Sequence, residues 1–483
     1  MTRLIRAIIL NAFCFISISI IAQNADSGYY KPDASFTNGI AQYHSKDYNG
    51  AVKSLDKAVD INPYDGDTWH YRGNAKLAMR NDSGAIADYT MAIKLNDNDE
   101  QAYWKRGVAE IHLKKYEKAE KDFTRAIKIN PASYRAYYSR GFAKFKEGDK
   151  DGALEDCNKA VEVHPCDTTY RALGVLRGWM KQYATAIEQY NKAIALNPLY
   201  ADVYLRRGRA EYETKDYDSA LKDFTKAFEI DTTNADALVE RANLKEDIKD
   251  FASAILDCDT AITIDPGNAQ AYINRGWEKQ NLGNATGALN DYNQAINLQP
   301  GFALAFSCRC AMKNKLEDLD GALEDCNTAI KLDPSLYFAF NNRGNVKHKL
   351  RDWDGALEDY TRAIELMPNS GLSYGNRGSV KLNLKDYSGA LDDLNKAIQL
   401  DPGSSTSVFS NRGSAKYHLG DFTGAVRDET WAIHLNPSSG FAYNIRGLAK
   451  IKTGELDSAC ADFEKARQFG NTGAQGNIDK HCK

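Results

Sequence analysis

Arginine and aspartate recur in this sequence as pairs whose members are sixteen residues apart, and eleven such pairs are present. A guanidinium group and a carboxylate can form two parallel hydrogen bonds, an interaction that fixes geometry and carries out no reaction. Two further positions of the series lack the pair, and both members are replaced together there, by Asn38 with Ser54 and by Leu173 with Gln189. Joint replacement favours direct contact between the two residues over two independently common surface positions. The pairs are Arg72 with Asp88, Arg106 with Asp122, Arg140 with Asp156, Arg207 with Asp223, Arg241 with Asp257, Arg275 with Asp291, Arg309 with Asp325, Arg343 with Asp359, Arg377 with Asp393, Arg412 with Asp428 and Arg446 with Asp462.

The cysteines and histidines form no pattern that predicts a metal centre or a catalytic group. Cys308 and Cys310 stand two residues apart, but no second cysteine pair or histidine follows at zinc-site spacing. The eight histidines are scattered, and the sequence contains no phosphate-binding loop, dinucleotide fingerprint or Ser–His–Asp candidate. Cys157, Cys258 and Cys326 stand where equivalent positions carry aromatic residues, which predicts that they are buried in the core. We therefore expect no enzyme activity, no metal and no cofactor.

The elements that position the arginine–aspartate pairs follow a repeat of 34 residues. A small residue, called the marker below, comes directly after each arginine position, and the step between markers is 34 residues in ten of twelve cases. The step from Gly141 to Gly174 is 33 residues, and the step from Gly378 to Gly413 is 35. Alanine stands twelve and nineteen residues after every marker. The markers are Gly39, Gly73, Gly107, Gly141, Gly174, Gly208, Ala242, Gly276, Cys310, Gly344, Gly378, Gly413 and Gly447.

One copy of the repeat, residues 341–368, reads as two short amphipathic helices joined by a tight turn and ended by Pro368. Such a unit resembles the tetratricopeptide repeat. The resemblance covers residues 32–470. It implies an all-α, right-handed superhelical solenoid of about 13 helix hairpins, in which neighbouring hairpins share one core.

The turns and two irregular joints add detail to this array. Gly148 is one of several glycines predicted to end first helices in the left-handed conformation. One residue is missing around residues 164–169 and one is added in residues 403–407, and the fifth unit also carries Gly178 followed by Trp179. We interpret these irregularities as local changes in superhelical pitch, with a hinge as the alternative. Second helices are expected to be capped by Asp151, Asp320 and Asp354.

In tetratricopeptide arrays the first helices line the concave face, and the resemblance assigns that place to a series of asparagines. An amide side chain offers two donors and one acceptor, so it can hold a peptide backbone. The arrangement is similar to the asparagine ladder of O-GlcNAc transferases, and the alternative is that these residues only meet water. The candidate ligand-binding residues of this series are Asn274, Asn342, Asn376 and Asn411, with Asn345 nearby.

The earlier repeats place aromatic residues on the same expected face. These are Trp104, Tyr138 and Phe142. They either grip apolar side chains of a ligand or pack between neighbouring repeats, and the sequence leaves both readings open. The contrast with the asparagines predicts two sub-sites along one groove.

The N-terminus differs from the repeats. Arg3 and Arg6 precede an apolar run from Ala7 to Ala22, which is typical of a secretory signal peptide with cleavage near Ala22. A retained membrane anchor is the alternative, although the run is short for a membrane span. Removal of residues 1–22 leaves 60 basic and 65 acidic side chains, a net charge of −5. This balance does not favour nucleic acid as a partner.

The C-terminal segment, residues 471–483, leaves the repeat pattern and is expected to cap the last repeat. Cys460 and Cys482 are disulfide candidates, because export exposes them to oxidising conditions. The segment around Cys460 also looks like the C-terminal pattern of exported repeat proteins from Bacteroidetes-type bacteria, and two free thiols are the alternative.

The sequence therefore predicts a signal peptide (1–22), a polar lead-in (23–31), a repeat array (32–470) and a capping tail (471–483). We expect a periplasmic or secreted protein of the cell envelope that is not inserted in the membrane after signal removal. Its expected role is a scaffold that binds protein or peptide in the concave groove. The alternative is a module that binds a glycan or a cell-wall polymer.

Overall fold

The structure is a computed structural model that describes residues 33–482. None of these residues lies in a β-strand. The expected signal peptide, the polar lead-in and Pro32 lie outside the described residues. The described helices are α1 (Ala34–His44), α2 (Tyr48–Ile61), α3 (Gly66–Ala78), α4 (Asp82–Leu95), α5 (Glu100–His112), α6 (Tyr116–Ile129), α7 (Tyr134–Glu147), α8 (Lys150–Val163), α9 (Asp167–Trp179), α10 (Tyr183–Leu196), α11 (Ala201–Glu213), α12 (Tyr217–Ile230), α13 (Ala235–Asp247), α14 (Phe251–Ile264), α15 (Ala269–Asn281), α16 (Ala285–Leu298), α17 (Ala303–Lys315), α18 (Leu319–Leu332), α19 (Tyr337–Lys349), α20 (Trp353–Leu366), α21 (Gly371–Asn383), α22 (Tyr387–Leu400), α23 (Thr406–His418), α24 (Phe422–Leu435), α25 (Gly440–Thr453), α26 (Leu456–Gln468) and α27 (Ala474–His481).

The helices pair into thirteen hairpins, each made of an odd-numbered first helix and an even-numbered second helix. The marker is small because the second helix sets a large side chain against it. A Cβ atom on Gly344 would lie 2.7 Å from Cε1 of Tyr360, which is 1% exposed. The invariant alanines of the same hairpin, Ala356 and Ala363, are fully buried where the helices approach each other. The sequence prediction of an all-α helical solenoid is confirmed.

The turn inside each hairpin contains one residue in the left-handed conformation, seven positions after the marker. Gly148 (φ 95°), Gly283, Gly420 and Gly454 occupy it as predicted, but nine hairpins place a side chain there, for example Lys181 (φ 59°). The expected second-helix caps were wrong by two residues. The N-caps are Asp149, Asp318 and Asp352, whose carboxylates accept a hydrogen bond from the backbone N–H three residues later.

The chain divides into two compact units. Unit 1 ends at Asp231 and contains α1 to α12, which form repeats 1 to 6. Unit 2 begins at Thr232 and contains α13 to α26, which form repeats 7 to 13, followed by α27. Within each unit the second helix of one repeat packs against the first helix of the next. No helix among residues 33–482 is both long and apolar enough to span a membrane.

The ninth repeat contains a disulfide bond that the sequence analysis did not predict. Cys326 was predicted to be buried in the core, and it is fully buried, but its sulfur is also bonded to that of Cys310. The bond joins the marker position to the position sixteen residues later, where α17 and α18 are closest. Cys157 and Cys258 are buried free thiols, as expected for core residues.

Helix α27 covers the end of the last repeat. Cys482 is bonded to Cys460 of α26, and Asn477 Nδ2 donates to Asn444 Oδ1 at 2.8 Å. Helix α27 begins 34 residues after α25, and Ala474 at its start is fully buried. The cap therefore takes the place that the first helix of a following repeat would occupy.

Candidate functional site

The arginine–aspartate pairs lie within single repeats. Arg343 Nε donates to Asp359 Oδ2 at 2.9 Å, and its Nη2 donates to Oδ1 at 2.6 Å. The pair Arg377 with Asp393 has the same geometry, at 2.8 and 2.7 Å. Asp359 is only 3% exposed, so this is a buried bidentate pair and not a surface contact.

A lysine completes this group in nine repeats and was missed in the sequence analysis. Lys347 Nζ lies 2.9 Å from Asp359 Oδ2, so one carboxylate receives two cations. The signal was available, because the lysine always stands three residues after the marker. The nine lysines are Lys76, Lys144, Lys245, Lys279, Lys313, Lys347, Lys381, Lys416 and Lys450.

The same arginine also reaches the preceding repeat. Arg343 Nη1 donates to Asn327 Oδ1 of α18 at 2.8 Å, and the equivalent bond is present in ten repeats. Each arginine therefore fixes its own hairpin and ties it to its neighbour. The first repeat makes a neutral version, in which Asn38 Nδ2 donates to Ser54 Oγ and Ser54 Oγ donates to Gln42 Oε1. These groups are structural and have no catalytic arrangement.

Glutamate replaces the lysine in the third and sixth repeats. Glu110 and Glu211 are buried beside Asp122 and Asp223. Burial, reinforced by the neighbouring aspartate, raises the pKa of Glu110 to about 7 and that of Glu211 to about 8. A carboxyl group that stays largely protonated near neutral pH thus stands where other repeats carry an ammonium group.

The asparagine candidates lie on the first helices of unit 2, and three of them bond to the neighbouring first helix. Asn342 Nδ2 donates to the carbonyl and the hydroxyl of Ser307, both at 3.1 Å. Asn376 Nδ2 lies 3.1 Å from Oδ1 of Asn345, which also accepts a bond from a tyrosine hydroxyl. Asn274 Nδ2 donates to Asn243 Oδ1 at 2.6 Å. Each of these three amides therefore bonds to the first helix of the preceding repeat.

Asn411 is different from these three. It is half-buried on α23, and its side chain has no hydrogen-bonding partner among residues 33–482. The amide group of Asn411 is therefore the member of the series whose donors and acceptor are all available to a ligand.

The aromatic candidates lie on first helices of unit 1, where a cavity of about 350 Å³ opens. Tyr138 and Phe142 of α7 line it together with Val108 of α5 and Val175 and Trp179 of α9. Most of the lining is apolar. This is the shape and chemistry that buries one bulky apolar side chain of a ligand.

Trp104 has another place. It packs against the core of the third repeat, and its Nε1 donates to Ser139 Oγ at 3.1 Å. The guanidinium of Arg135 lies 5.6 Å from its ring centroid. Trp104 therefore stands beside the cavity as a packed platform and does not line it.

Two arginines stand at the cavity and share one carboxylate. Arg171 Nε bonds to Asp202 Oδ2, and Arg206 Nε lies 2.9 Å from the same oxygen. Burial opposes the negative charge of Asp202, but the hydrogen bonds from both arginines outweigh it and lower the pKa of the carboxyl group. The cavity wall therefore carries two cations, and the carboxylate that pairs with both does not itself line the cavity.

Two positions of α9 on this face lack a large side chain. Ala172 lines it directly, and Gly178 borders a smaller adjoining cavity of about 210 Å³. Gly178 stands four residues after the marker, where the neighbouring repeats carry Phe145 and Tyr212. A Cβ atom on Gly178 would have only the Tyr190 hydroxyl within 4 Å, at 3.7 Å. The sequence signal was noticed but interpreted as a change in pitch, whereas α9 is a continuous helix whose missing side chain leaves open space.

Comparison with known proteins agrees with this architecture. Profiles described as tetratricopeptide repeat match residues 100–133, 134–165, 180–235, 269–302, 337–370 and 372–404. The chain carries tetratricopeptide repeats. No curated protein matches the sequence.

One solved structure has a similar fold. It is the crystal structure of the APC/C hetero-tetramer Cut9-Hcn1, matched with a TM-score of 0.58 and 15% sequence identity. The match covers 97% of this chain and 99% of that chain. At this identity the likeness shows the fold alone.

One tetratricopeptide repeat contains a buried acid in an otherwise apolar position. Glu278 stands two residues after the marker of the eighth repeat and is fully buried, and neither carboxyl oxygen has a hydrogen-bonding partner among the described residues. The other twelve repeats carry Ala, Leu, Met or Val at this position. Burial, with a smaller contribution from Glu246, raises the pKa of Glu278 to about 8.

Proposed function

We propose that this chain is an exported, non-catalytic scaffold that holds protein segments on the first-helix faces of its tetratricopeptide repeats. The observation that carries the proposal is the apolar cavity of about 350 Å³ on the first-helix face of unit 1. A protein partner supplies bulky apolar side chains that fill such a cavity. The partly engaged asparagines of unit 2 supply polar contacts on the first helices of that unit.

Two further observations support a protein partner. The repeats themselves are units that present extended binding surfaces. The similarly folded protein is seen in a hetero-tetramer with another protein. Neither the repeat matches nor this structure favours a glycan or a cell-wall polymer as the ligand.

Export is part of the proposal and is based on residues 1–22. Mass spectrometry of the intact protein purified from its native host tests it. We expect a mature chain that begins near Gln23 and is recovered from the cell envelope or the medium. A full-length chain recovered from the cytoplasm would contradict export and leave the scaffold role to be judged separately.

Site-specific photocross-linking tests the scaffold role. A photoreactive phenylalanine analogue at position 179, where a tryptophan lines the cavity and is 43% exposed, should cross-link a defined protein when the cells are irradiated. The matched control places it at position 188, which is exposed on a second helix of the same repeat. Adducts that are identical at both positions, or a sugar polymer attached at position 179, would contradict the proposal.

A further inference from the structure

Positive side chains outnumber negative ones around the unit 1 cavity, and this excess indicates what kind of ligand enters it. Asp202 receives both Arg171 and Arg206, and the Nη atoms of these two arginines have no hydrogen-bonding partner among the described residues. One carboxylate thus satisfies two Nε groups and leaves the terminal nitrogens of both guanidinium groups available. A second carboxylate supplied by a ligand would complete the pairing.

Further cations follow the same face toward the third repeat. Lys105 Nζ lies 2.8 Å from Asn74 Oδ1 and has no carboxylate within ion-pair distance among the described residues. Burial and the positive charge of Arg135 lower the pKa of Lys105 to about 8. Arg135 is exposed and stacks on Trp104 and Tyr134. Each of these side chains is a cation that the protein itself leaves unneutralised.

The other carboxylates on this side of unit 1 already accept hydrogen bonds from groups of the protein itself. Asp99 accepts a bond from His70 at 2.8 Å and from the backbone N–H of Ala102. Asp167 accepts from Asn197 Nδ2 at 2.8 Å. Among the side chains named here, four cations (Arg171, Arg206, Lys105 and Arg135) stand beside three carboxylates (Asp99, Asp167 and Asp202). The face beside the cavity therefore has a small net positive charge, which attracts acidic segments and disfavours basic ones.

We propose that the unit 1 cavity binds an internal acidic segment of a partner protein, with one bulky apolar side chain inserted between acidic residues. The apolar side chain fills the space beside Ala172, against Val175 and Trp179. A neighbouring carboxylate binds the free Nη atoms of Arg171 and Arg206, and further acidic residues lie toward Lys105. This inference rests on the scaffold function and specifies the chemistry of the partner at one site.

Synthetic peptides with an amidated C-terminus test the inference, because they carry no terminal carboxylate. The probe is a fluorescein-labelled peptide with one phenylalanine between glutamates in a glycine–serine frame. Two companion peptides replace the glutamates by lysines or the phenylalanine by alanine. Fluorescence anisotropy with the full mature chain should show binding to the first peptide that is about tenfold tighter than to either companion and that weakens with added salt.

Variants of the protein locate the binding. Ala172→Leu enlarges a side chain of the cavity wall and should fill the cavity, and Arg171→Gln with Arg206→Gln keeps donors for Asp202 while removing both charges. Each should weaken binding of the acidic peptide by about tenfold or more. The matched controls are Ala184→Leu, which is exposed on the second helix of the same repeat, and Arg362→Gln on an exposed second-helix surface. The controls should leave binding unchanged, and circular dichroism should show equal helicity for all variants.

Three results would overturn the inference: no binding of the acidic peptide to the wild-type chain, equal binding of the lysine peptide, or full binding by Ala172→Leu. If a protein still cross-links at position 179 in any of these cases, the scaffold function stands and only the proposed ligand chemistry fails. If the acidic peptide binds at the cavity but no cellular protein cross-links at position 179, the scaffold function is the part that fails.

Discussion

The sulfur atoms of Cys310 and Cys326 are bonded at the two positions where the tenth repeat sets Gly344 against Tyr360. A covalent bond in the ninth repeat thus replaces the contact that the tenth repeat makes between a glycine and an aromatic ring. Both solutions hold the first and second helices together at their closest approach.

Removal of this disulfide should destabilise the ninth repeat. The bonded residues are sixteen positions apart, and the chain-entropy model assigns about 3 kcal/mol to a loop of that length. Cys310→Ser with Cys326→Ser should therefore increase hydrogen exchange in α17 and α18. Cys310→Gly with Cys326→Tyr, which restores the glycine–tyrosine contact, should recover much of the protection and make it insensitive to reductant. Equal protection in the oxidised wild type and the serine variant would contradict this role.

Loss of the carboxylate should cost more than loss of the lysine that accompanies it. Asp359→Asn leaves Arg343 buried without its anion, a change that typically costs about 3–5 kcal/mol. Lys347→Met keeps the bidentate pair and should cost about 1 kcal/mol. Hydrogen exchange of α19 and α20 measures both effects.

The fifth repeat provides the control for this comparison, because Leu173 and Gln189 occupy the two positions there. Gln189→Ala should lower protection from hydrogen exchange in its own hairpin less than Asp359→Asn does in the tenth repeat. Equal effects of the two substitutions would mean that the ion pair contributes no more than a neutral contact.

Glu278 should make stability depend on pH. Its folded pKa of about 8 lies above the ordinary value of 4.5, so the folded chain binds more protons than the unfolded chain between these values. The free energy of unfolding should therefore fall as the pH rises from about 4.5 to about 8 and level off above. Glu246, Cys258 and Tyr292 interact electrostatically with this carboxyl group. Burial raises the pKa of the Cys258 thiol to about 12, so this thiol stays neutral in this range.

Glu278→Leu gives the eighth repeat the apolar side chain that other repeats have at this position. The variant should be more stable than the wild type, with a difference that grows from pH 5 to pH 8. Urea denaturation at several pH values measures this difference, and the other buried glutamates cancel in the comparison. A constant difference over this range would show that Glu278 is not protonated in the folded chain.

The left-handed turn position should distinguish glycine from other residues. Gly148→Ala places a Cβ atom at φ 95° and should destabilise its hairpin by about 1 kcal/mol. Lys181→Gly at the equivalent turn of the next repeat should have no such cost. Thermal unfolding followed by circular dichroism compares the two variants, and equal melting temperatures would contradict the expected conformational cost.

The Cys460–Cys482 bond should be present in the mature protein. Non-reducing peptide mapping is expected to yield a linked pair of peptides that contain these two residues. Alkylation of both cysteines without reductant would show that they are free thiols and that other contacts hold α27 in place.

The sequence predicts the fold well because the chain contains its own comparison: thirteen copies show which positions are always small, apolar or charged. The same comparison pointed to the arginine–aspartate pairs and to the cap at the C-terminus. Lys347 was missed because a lysine on a helix is usually a solvated residue, and only the distance to Asp359 reveals its partner.

The candidate site was harder to predict because it depends on what is absent. Gly178 and Ala172 create space only in combination with Val175 and Trp179 on the same helix and with side chains of neighbouring repeats. Arg171 and Arg206 stand at different positions relative to their markers, so the repeat pattern does not bring them together. Their shared contact with Asp202 depends on how successive hairpins stack.

The position of α27 has an evolutionary consequence. Because α27 begins one full period after α25, it meets the thirteenth repeat as any first helix meets its predecessor. Duplication or deletion of a whole 34-residue segment ahead of it would preserve the spacing between cap and neighbour. The gene can therefore lengthen or shorten its array without having to evolve a new ending.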